Sequence, residues 1–232
     1  VIDDSYNEQE QWERVKFWLR DNGLWLLAGV LIGVGALAGW RWWEQRVEQR
    51  AQDASARYEE ILGAFNRSDR TRAFTLIDSL RDEFPSSPYA DQADLAGARD
   101  FIDQNELAKA AERLERVMKQ SKDAELKLVS RLRLARVQLA QGNADAALAT
   151  LDGADPGSFG PRFDEVRGDA RLAKGDRPAA LAAYVKARDA DQDGVLDQAT
   201  LELKIADLVA DGVLAPAAAT AVTPAAPAVQ GK

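Results

Sequence analysis

Hydrophobic positions fall into two regimes along this chain. Leu24 to Trp40 reads LWLLAGVLIGVGALAGW, seventeen positions without a charge. Arg41 interrupts the run, and Trp42 and Trp43 follow. A helix that crosses a bilayer needs about 20 mostly apolar residues, so this run suffices with its flanks. Trp25 at one end, and Trp40, Trp42 and Trp43 at the other, suit the two headgroup belts. A signal peptide would have a shorter apolar core and a small-residue cleavage site, and Trp-Arg-Trp-Trp is a poor one. The pattern therefore predicts a transmembrane helix over residues 23–43. Gly29 and Gly33 form one GxxxG and Gly35 and Gly39 a second. Small residues let another helix backbone approach where lipid supplies no hydrophobic drive, so all four glycines are candidate helix-packing positions.

Amphipathic periodicity holds on both sides of this segment. Trp12, Val15, Trp18 and Leu19 recur at helical spacing among Arg14, Lys16 and Arg20. They predict an interfacial helix within residues 1–22, ended by Asp21-Asn22-Gly23 with Gly23 as a left-handed terminus. On the other side Val47, Ala51, Ala54, Tyr58, Ile61 and Phe65 form one apolar seam, and no Pro or Gly interrupts residues 41–62. The membrane helix is thus expected to run without a linker into the domain that follows. At 1.5 Å per residue, residues 41–53 would hold that domain roughly 20 Å from the bilayer.

Residues 44–212 repeat. Four small-then-large pairs recur at a spacing of four: Ala73/Ile77, Ala110/Leu114, Ala147/Leu151 and Ala180/Tyr184. Their alanines lie 37, 37 and 33 residues apart. Twelve residues before the last three stand Ala98, Ala135 and Gly168, where two helices must approach closely. Asn105, Gly142 and Gly175 fall five before the same alanines and read as turns, and Pro85 sits where one repeat ends and the next begins. These offsets predict an all-α solenoid of about four tetratricopeptide-like hairpins. The match is degenerate, because the Trp and Leu usual early in the first helix are missing. A capping helix, Leu196 to Leu208, would present Leu196, Ala199, Leu203, Ile205 and Leu208 to the stack. Residues 213–232, rich in Ala and Pro, predict a disordered tail.

Composition narrows the chemistry. The net charge is −8, so no basic footprint for nucleic acid exists. The sequence contains neither Cys nor His. That removes disulfides, thiolate nucleophiles, imidazole bases and the commonest metal ligands. Val1 stands where an initiator Met is expected, which points to a start upstream. No phosphate loop occurs, and Gly157-Ser158-Phe159-Gly160 is a loop between repeats with no base available for its Ser. Asp189 to Thr200 matches a calcium loop at positions one, three, five, six, eight and nine, but Thr200 replaces the bidentate Glu at the twelfth. It reads as an acidic turn, with Gly194 left-handed and Asp197 in the first turn of the next helix. No catalytic residue, cofactor or metal site is expected. Arg99 and Arg136 hold equivalent places in successive repeats and are candidates for gripping an acidic or C-terminal partner segment, weighed against plain surface arginines.

Charge counting leaves the orientation open: Arg14, Lys16 and Arg20 precede the apolar run, and Arg41, Arg46, Arg50 and Arg57 follow it. The ordering of elements, with the stretch GVLIGVGALAGWRWWEQR and the segments QNELAKAA (Gln104 to Ala111), LRLARVQL (Leu132 to Leu139) and RGDARLAKGDRPAALAAY (Arg167 to Tyr184), resembles the YfgM-type ancillary subunit of the bacterial SecYEG translocon. Neither the Ala/Pro tail nor the calcium-like loop belongs to that resemblance. It implies an inner-membrane protein with a cytoplasmic N-terminus and a periplasmic repeat domain. It also implies association with SecYEG and a PpiD-type membrane-anchored chaperone, and a part in passing client proteins to periplasmic folding factors. Without it, the residues fit equally a membrane-anchored scaffold for envelope assembly or division.

Overall fold

The computed structural model describes residues 5–212, so the expected tail over 213–232 lies outside the described residues. Their regular structure is helical: α1 (Ser5–Asn66), α2 (Arg70–Glu83), α3 (Pro88–Asp103), α4 (Leu107–Gln120), α5 (Ala124–Ala140), α6 (Ala144–Asp152), α7 (Gly160–Ala173), α8 (Arg177–Ala190) and α9 (Gln198–Ala210). The chain divides into two compact units between Ala56 and Arg57.

The first unit is helical throughout its described part. The expected break at Gly23 does not occur, because α1 runs from Ser5 to Asn66 without interruption. Gly23 is not among the positive-φ glycines, and the Asn22 side-chain amide donates back to the Trp18 carbonyl at 3.1 Å. A glycine inside a helix costs about 1 kcal/mol, whereas a break would give up the intrahelical hydrogen bonds that span it and leave two helix ends to cap. Continuation is the cheaper outcome.

The second unit is a stack of helical hairpins. The end of α1 from Arg57 pairs with α2, then α3 with α4, α5 with α6 and α7 with α8, while α9 packs on α8. Inside each hairpin the first helix ends in the same way. Ser68, Asn105, Gly142 and Gly175 take positive φ of 60°, 59°, 78° and 80°. The next residue's amide then reaches back five residues: Asp69 to Ala64 (2.9 Å), Glu106 to Phe101 (2.7 Å), Asn143 to Gln138 (2.8 Å) and Asp176 to Arg171 (3.0 Å). This is the Schellman closure, which satisfies carbonyls the helix end would otherwise orphan. Asp69, Asn143 and Asp176 at once cap the second helix with their side chains. Ser68 is the turn that the sequence pattern misses, because Ser lacks the left-handed tolerance of Gly or Asn.

The repeating core follows from the small-then-large pairs. Ala73, Ala110, Ala147 and Ala180 are fully buried, as are Ile77, Leu114, Leu151 and Tyr184. The pairing is most extreme at the last hairpin. A Cβ on Gly168 would sit 2.3 Å from the Tyr184 ring, so the fold's largest buried side chain faces a position with none. Within the seam on α1, Ile61 is buried, Tyr58 and Phe65 are half-buried, and Val47 and Ala51 are exposed.

The capping helix begins slightly later than expected and turns a different face inward. Leu196, Leu201, Ile205 and Leu208 are buried against Tyr184 and its neighbours, whereas Ala199 is exposed and Leu203 is 71% exposed. Leu201, Ile205 and Leu208 follow the four-then-three spacing of one helical stripe, and Leu203 lies about 200° around the helix from Leu201. The loop Gly157–Phe159 is a single 3-10 turn leading into α7.

Replacing Gly168 by Ala is expected to destabilise the repeat unit by about 1–3 kcal/mol through overpacking. Combining it with Tyr184→Leu, which vacates the ring's volume, should cost less than the two single changes summed. A double-mutant cycle by urea unfolding checks this, and additivity would mean the two positions do not compete for space.

Candidate partner-binding surfaces

The apolar stretch of α1 forms the first surface. It is the one helix among the described residues long and apolar enough to cross a membrane. A Cβ at Gly29, Gly33, Gly35 or Gly39 would meet nothing within 4 Å. The two GxxxG pairs are offset by six positions, so they lie on different sides of the helix. Trp25, Trp40, Trp42 and Trp43 are each more than half exposed, and the Arg46 guanidinium lies 4.7 Å from the Trp42 ring centroid. A run of this many exposed apolar side chains is a surface that water does not tolerate in isolation.

The charges of the repeat unit sort into structural and exposed ones. Sixteen residues before each marker alanine stand Arg57, Asp94, Arg131 and Asp164, and six after it stand Ser79, Arg116, Gly153 and Lys186. The two positions meet in every hairpin. Arg57 donates to Ser79 at 3.2 Å, Arg116 to Asp94 at 3.4 Å, and Lys186 pairs with Asp164 at 3.0 Å. In the third hairpin Arg131 donates to the Thr150 carbonyl at 2.6 Å, and a Cβ on Gly153 would collide with its guanidinium. One contact is thus filled four times with alternating sign. The buried Asp94 also receives Arg81 at 2.5 Å and Arg113 at 2.8 Å, and Arg81 bridges to Asp91 at 2.9 Å. These guanidiniums join α2, α3 and α4 through a carboxylate with no exposure to solvent.

The two candidate arginines lie instead on the first helices of their hairpins and stay exposed. Arg99 on α3 is 82% exposed and only 3.9 Å from Asp103, and Arg136 on α5 is half-exposed, 3.5 Å from Glu165. The structure therefore does not bury the two candidate arginines in the fold. It adds a third that the sequence pattern did not single out, Arg133, one turn before Arg136. Arg133 loses hydration to the surrounding helices and faces Arg99 and Arg136, and these together press its pKa below the ordinary arginine value. On α7 the sign reverses. The place of Arg99 and Arg136 is taken by Asp169, which accepts the Tyr184 hydroxyl at 2.7 Å and Lys204 of α9 at 2.8 Å. Burial, then Asp169, raises the Tyr184 pKa, so the phenol stays protonated. Burial opposes the Lys204 charge, but Asp169 and Glu165 outweigh it and raise its pKa.

The calcium-like loop uses its carboxylates internally. Asp191 accepts the Val195 amide at 2.8 Å, the Leu196 amide at 3.1 Å and the Gln198 side chain at 2.6 Å. Burial opposes its charge, but these hydrogen bonds prevail and hold its pKa below the usual carboxylate value. Asp197 caps α9 rather than lying in its first turn, accepting the Thr200 amide, and Gly194 has φ of 65°.

A family described as a tetratricopeptide repeat-like domain matches residues 16–210. An Escherichia coli (strain K12) protein, "Ancillary SecYEG translocon subunit", is 36% identical over 87% of this chain and 97% of its own length. The chain belongs to this family. Proteins of the same description from Haemophilus influenzae and Neisseria gonorrhoeae are 28% and 27% identical, over 88% and 87% of the chain and 98% and 97% of their lengths. No solved structure matches the chain. The family's pattern begins ahead of the apolar stretch and ends with α9, so it takes in the apolar helix and the hairpins together. Stacked hairpins of this kind present extended helix faces, and those faces are where partners are to be sought.

Asp94→Ala is expected to cost about 3–5 kcal/mol, because three guanidiniums lose the buried carboxylate between them. Asp103→Ala, which removes an exposed partner of Arg99, should stay within about 0.5 kcal/mol. Urea unfolding followed by circular dichroism separates the two. Equal small effects would mean that water replaces Asp94 without penalty.

Proposed function

We propose that this protein is a non-enzymatic ancillary subunit of the Sec translocon in the bacterial inner membrane. The observation that carries the reading is its 36% identity to the E. coli ancillary SecYEG translocon subunit across almost that protein's whole length. Residues 1–22 lie on the cytoplasmic side with their amphipathic stretch at the interface. Residues 23–43 cross the membrane once, with Trp25, Trp40, Trp42 and Trp43 at its two surfaces. Residues 44–212 form the periplasmic repeat domain, and the tail from 213 follows it.

In this arrangement the two GxxxG faces let the anchor pack on other membrane helices of the translocon, where close backbone approach replaces the missing hydrophobic drive. The repeat domain, which carries neither a catalytic imidazole nor a thiol, acts through contact. It engages a PpiD-type membrane-anchored chaperone and hands emerging secreted or membrane client proteins to it.

Crosslinking of native membranes followed by mass spectrometry tests the reading. Crosslinks from the anchor to SecYEG subunits and from the repeat domain to a periplasmic chaperone are expected. Recovery of neither would instead favour a general anchored scaffold for envelope assembly or division. Gly33→Leu and Gly35→Leu should each lower SecYEG co-purification several-fold while circular dichroism of the repeats stays unchanged. Undiminished recovery would remove the glycine faces from the contact.

A further inference from the structure

Arg99, Arg133 and Arg136 are exposed on the first helices of two successive hairpins, α3 and α5, which pack on one another. Arg99 follows the buried Ala98 and Arg136 follows the buried Ala135, so both occupy one repeat position. Arg133 lies three residues before Arg136, on the same side of α5. Arg133 feels the like charges of both Arg99 and Arg136. Their neutralisation is poor. Asp103 and Glu165 stand at 3.9 and 3.5 Å, and Arg133 has no carboxylate partner among the described residues. Where the chain matches an exposed row itself, as Lys204 does between Glu165 and Asp169, the distances are 3.0 and 2.8 Å.

We propose that Arg99, Arg133 and Arg136 receive an extended acidic peptide segment of a partner protein. Packed helices lie about 8–10 Å apart, and an extended chain rises about 3.3 Å per residue. Carboxylates three residues apart therefore step from α3 to α5, and planar guanidiniums can grip each with paired donors. On α7 the equivalent position is Asp169, with Glu165 one turn before it, so the segment's acidic stretch ends over α5. The same two carboxylates, in a chain of net charge −8, disfavour an anionic bilayer as the ligand. The inference rests on reading the repeats as a partner-binding domain and specifies what that domain recognises.

The test uses the full chain in neutral detergent micelles. The probe is a fluorescent Gly/Ser peptide with Glu at every third position, and its twin carries Gln instead. Anisotropy should show the Glu probe binding about tenfold more tightly than its twin, with affinity falling as salt rises. Arg133→Gln and Arg136→Gln should each weaken it by roughly five- to tenfold, with Arg133→Lys intermediate. Lys119→Gln, a solvent-exposed change on α4 beside Glu115, should leave it unchanged. Arg133→Gln should not lower the thermal midpoint, because it relieves repulsion. Equal binding of the two peptides, absence of binding, or insensitivity to the arginine changes would overturn the proposal. So would arginine-dependent binding to phosphatidylglycerol vesicles without binding of the peptide. Peptide binding that persists in a protein failing to crosslink to SecYEG would sink the translocon assignment alone. Crosslinking without peptide selectivity would sink this inference alone.

Discussion

The repeat unit depends on how closely two helices of a hairpin can approach. A helix of fourteen residues such as α2 or α4 is marginal by itself and must bury its apolar stripe on a neighbour. Ala at the marker position of each second helix, and Ala or Gly on the facing helix in three of the four, bring the axes together. Ile77, Leu114, Leu151 and Tyr184 then fill the space one turn further on. The Schellman turns serve this contact. Each reverses the chain within a few residues, so the two helices leave the turn already antiparallel and in register. The Gly168–Tyr184 pair shows the limit of this scheme, where backbone itself becomes the wall of the ring's pocket.

That contact is also why the architecture is legible in the sequence. Apolar packing tolerates little variation in volume, so small-then-large recurs in each repeat and fixes the hairpin phase. Other features escape the same reading for identifiable reasons. Ser68 closes a turn that the other hairpins close with Asn or Gly, so residue type does not mark it. Leu203 has the chemistry of a cap residue, but neighbouring Leu201 lies on the true stripe, and one helix offers both. Gly23 has the residue type of a helix terminus, but the left-handed backbone that would make it one is absent and the helix runs through it.

The charged node within each hairpin was hidden for a more general reason. Arg57, Asp94, Arg131 and Asp164 share a position yet alternate in sign, and their partners are Ser79, Arg116, a carbonyl beside Gly153 and Lys186. A polar contact can be satisfied by donor and acceptor in either direction, so the fold holds the geometry constant while the chemistry changes. By residue type one position reads Arg, Asp, Arg, Asp and the other Ser, Arg, Gly, Lys, with no shared identity across the four hairpins. What is constant is complementarity, which exists only once the two helices are folded together.

The same distinction separates charges that build the molecule from charges left for partners. At Asp94 the penalty for an unmatched buried carboxylate forces three arginines into close contact. On the exposed faces of α3 and α5 that penalty is smaller, because water reaches each guanidinium even though Arg133 loses part of its hydration. The fold consequently has no need to place Arg99, Arg133 and Arg136 near one another, and their mutual repulsion opposes it. Across α7 and α9 the sequence does supply the match, with Lys204 between Glu165 and Asp169. The means of neutralising an exposed row were therefore available within this stack, and along α3 and α5 they are largely missing. A segment that arrives carrying carboxylates would complete there what the chain itself completes at its far end.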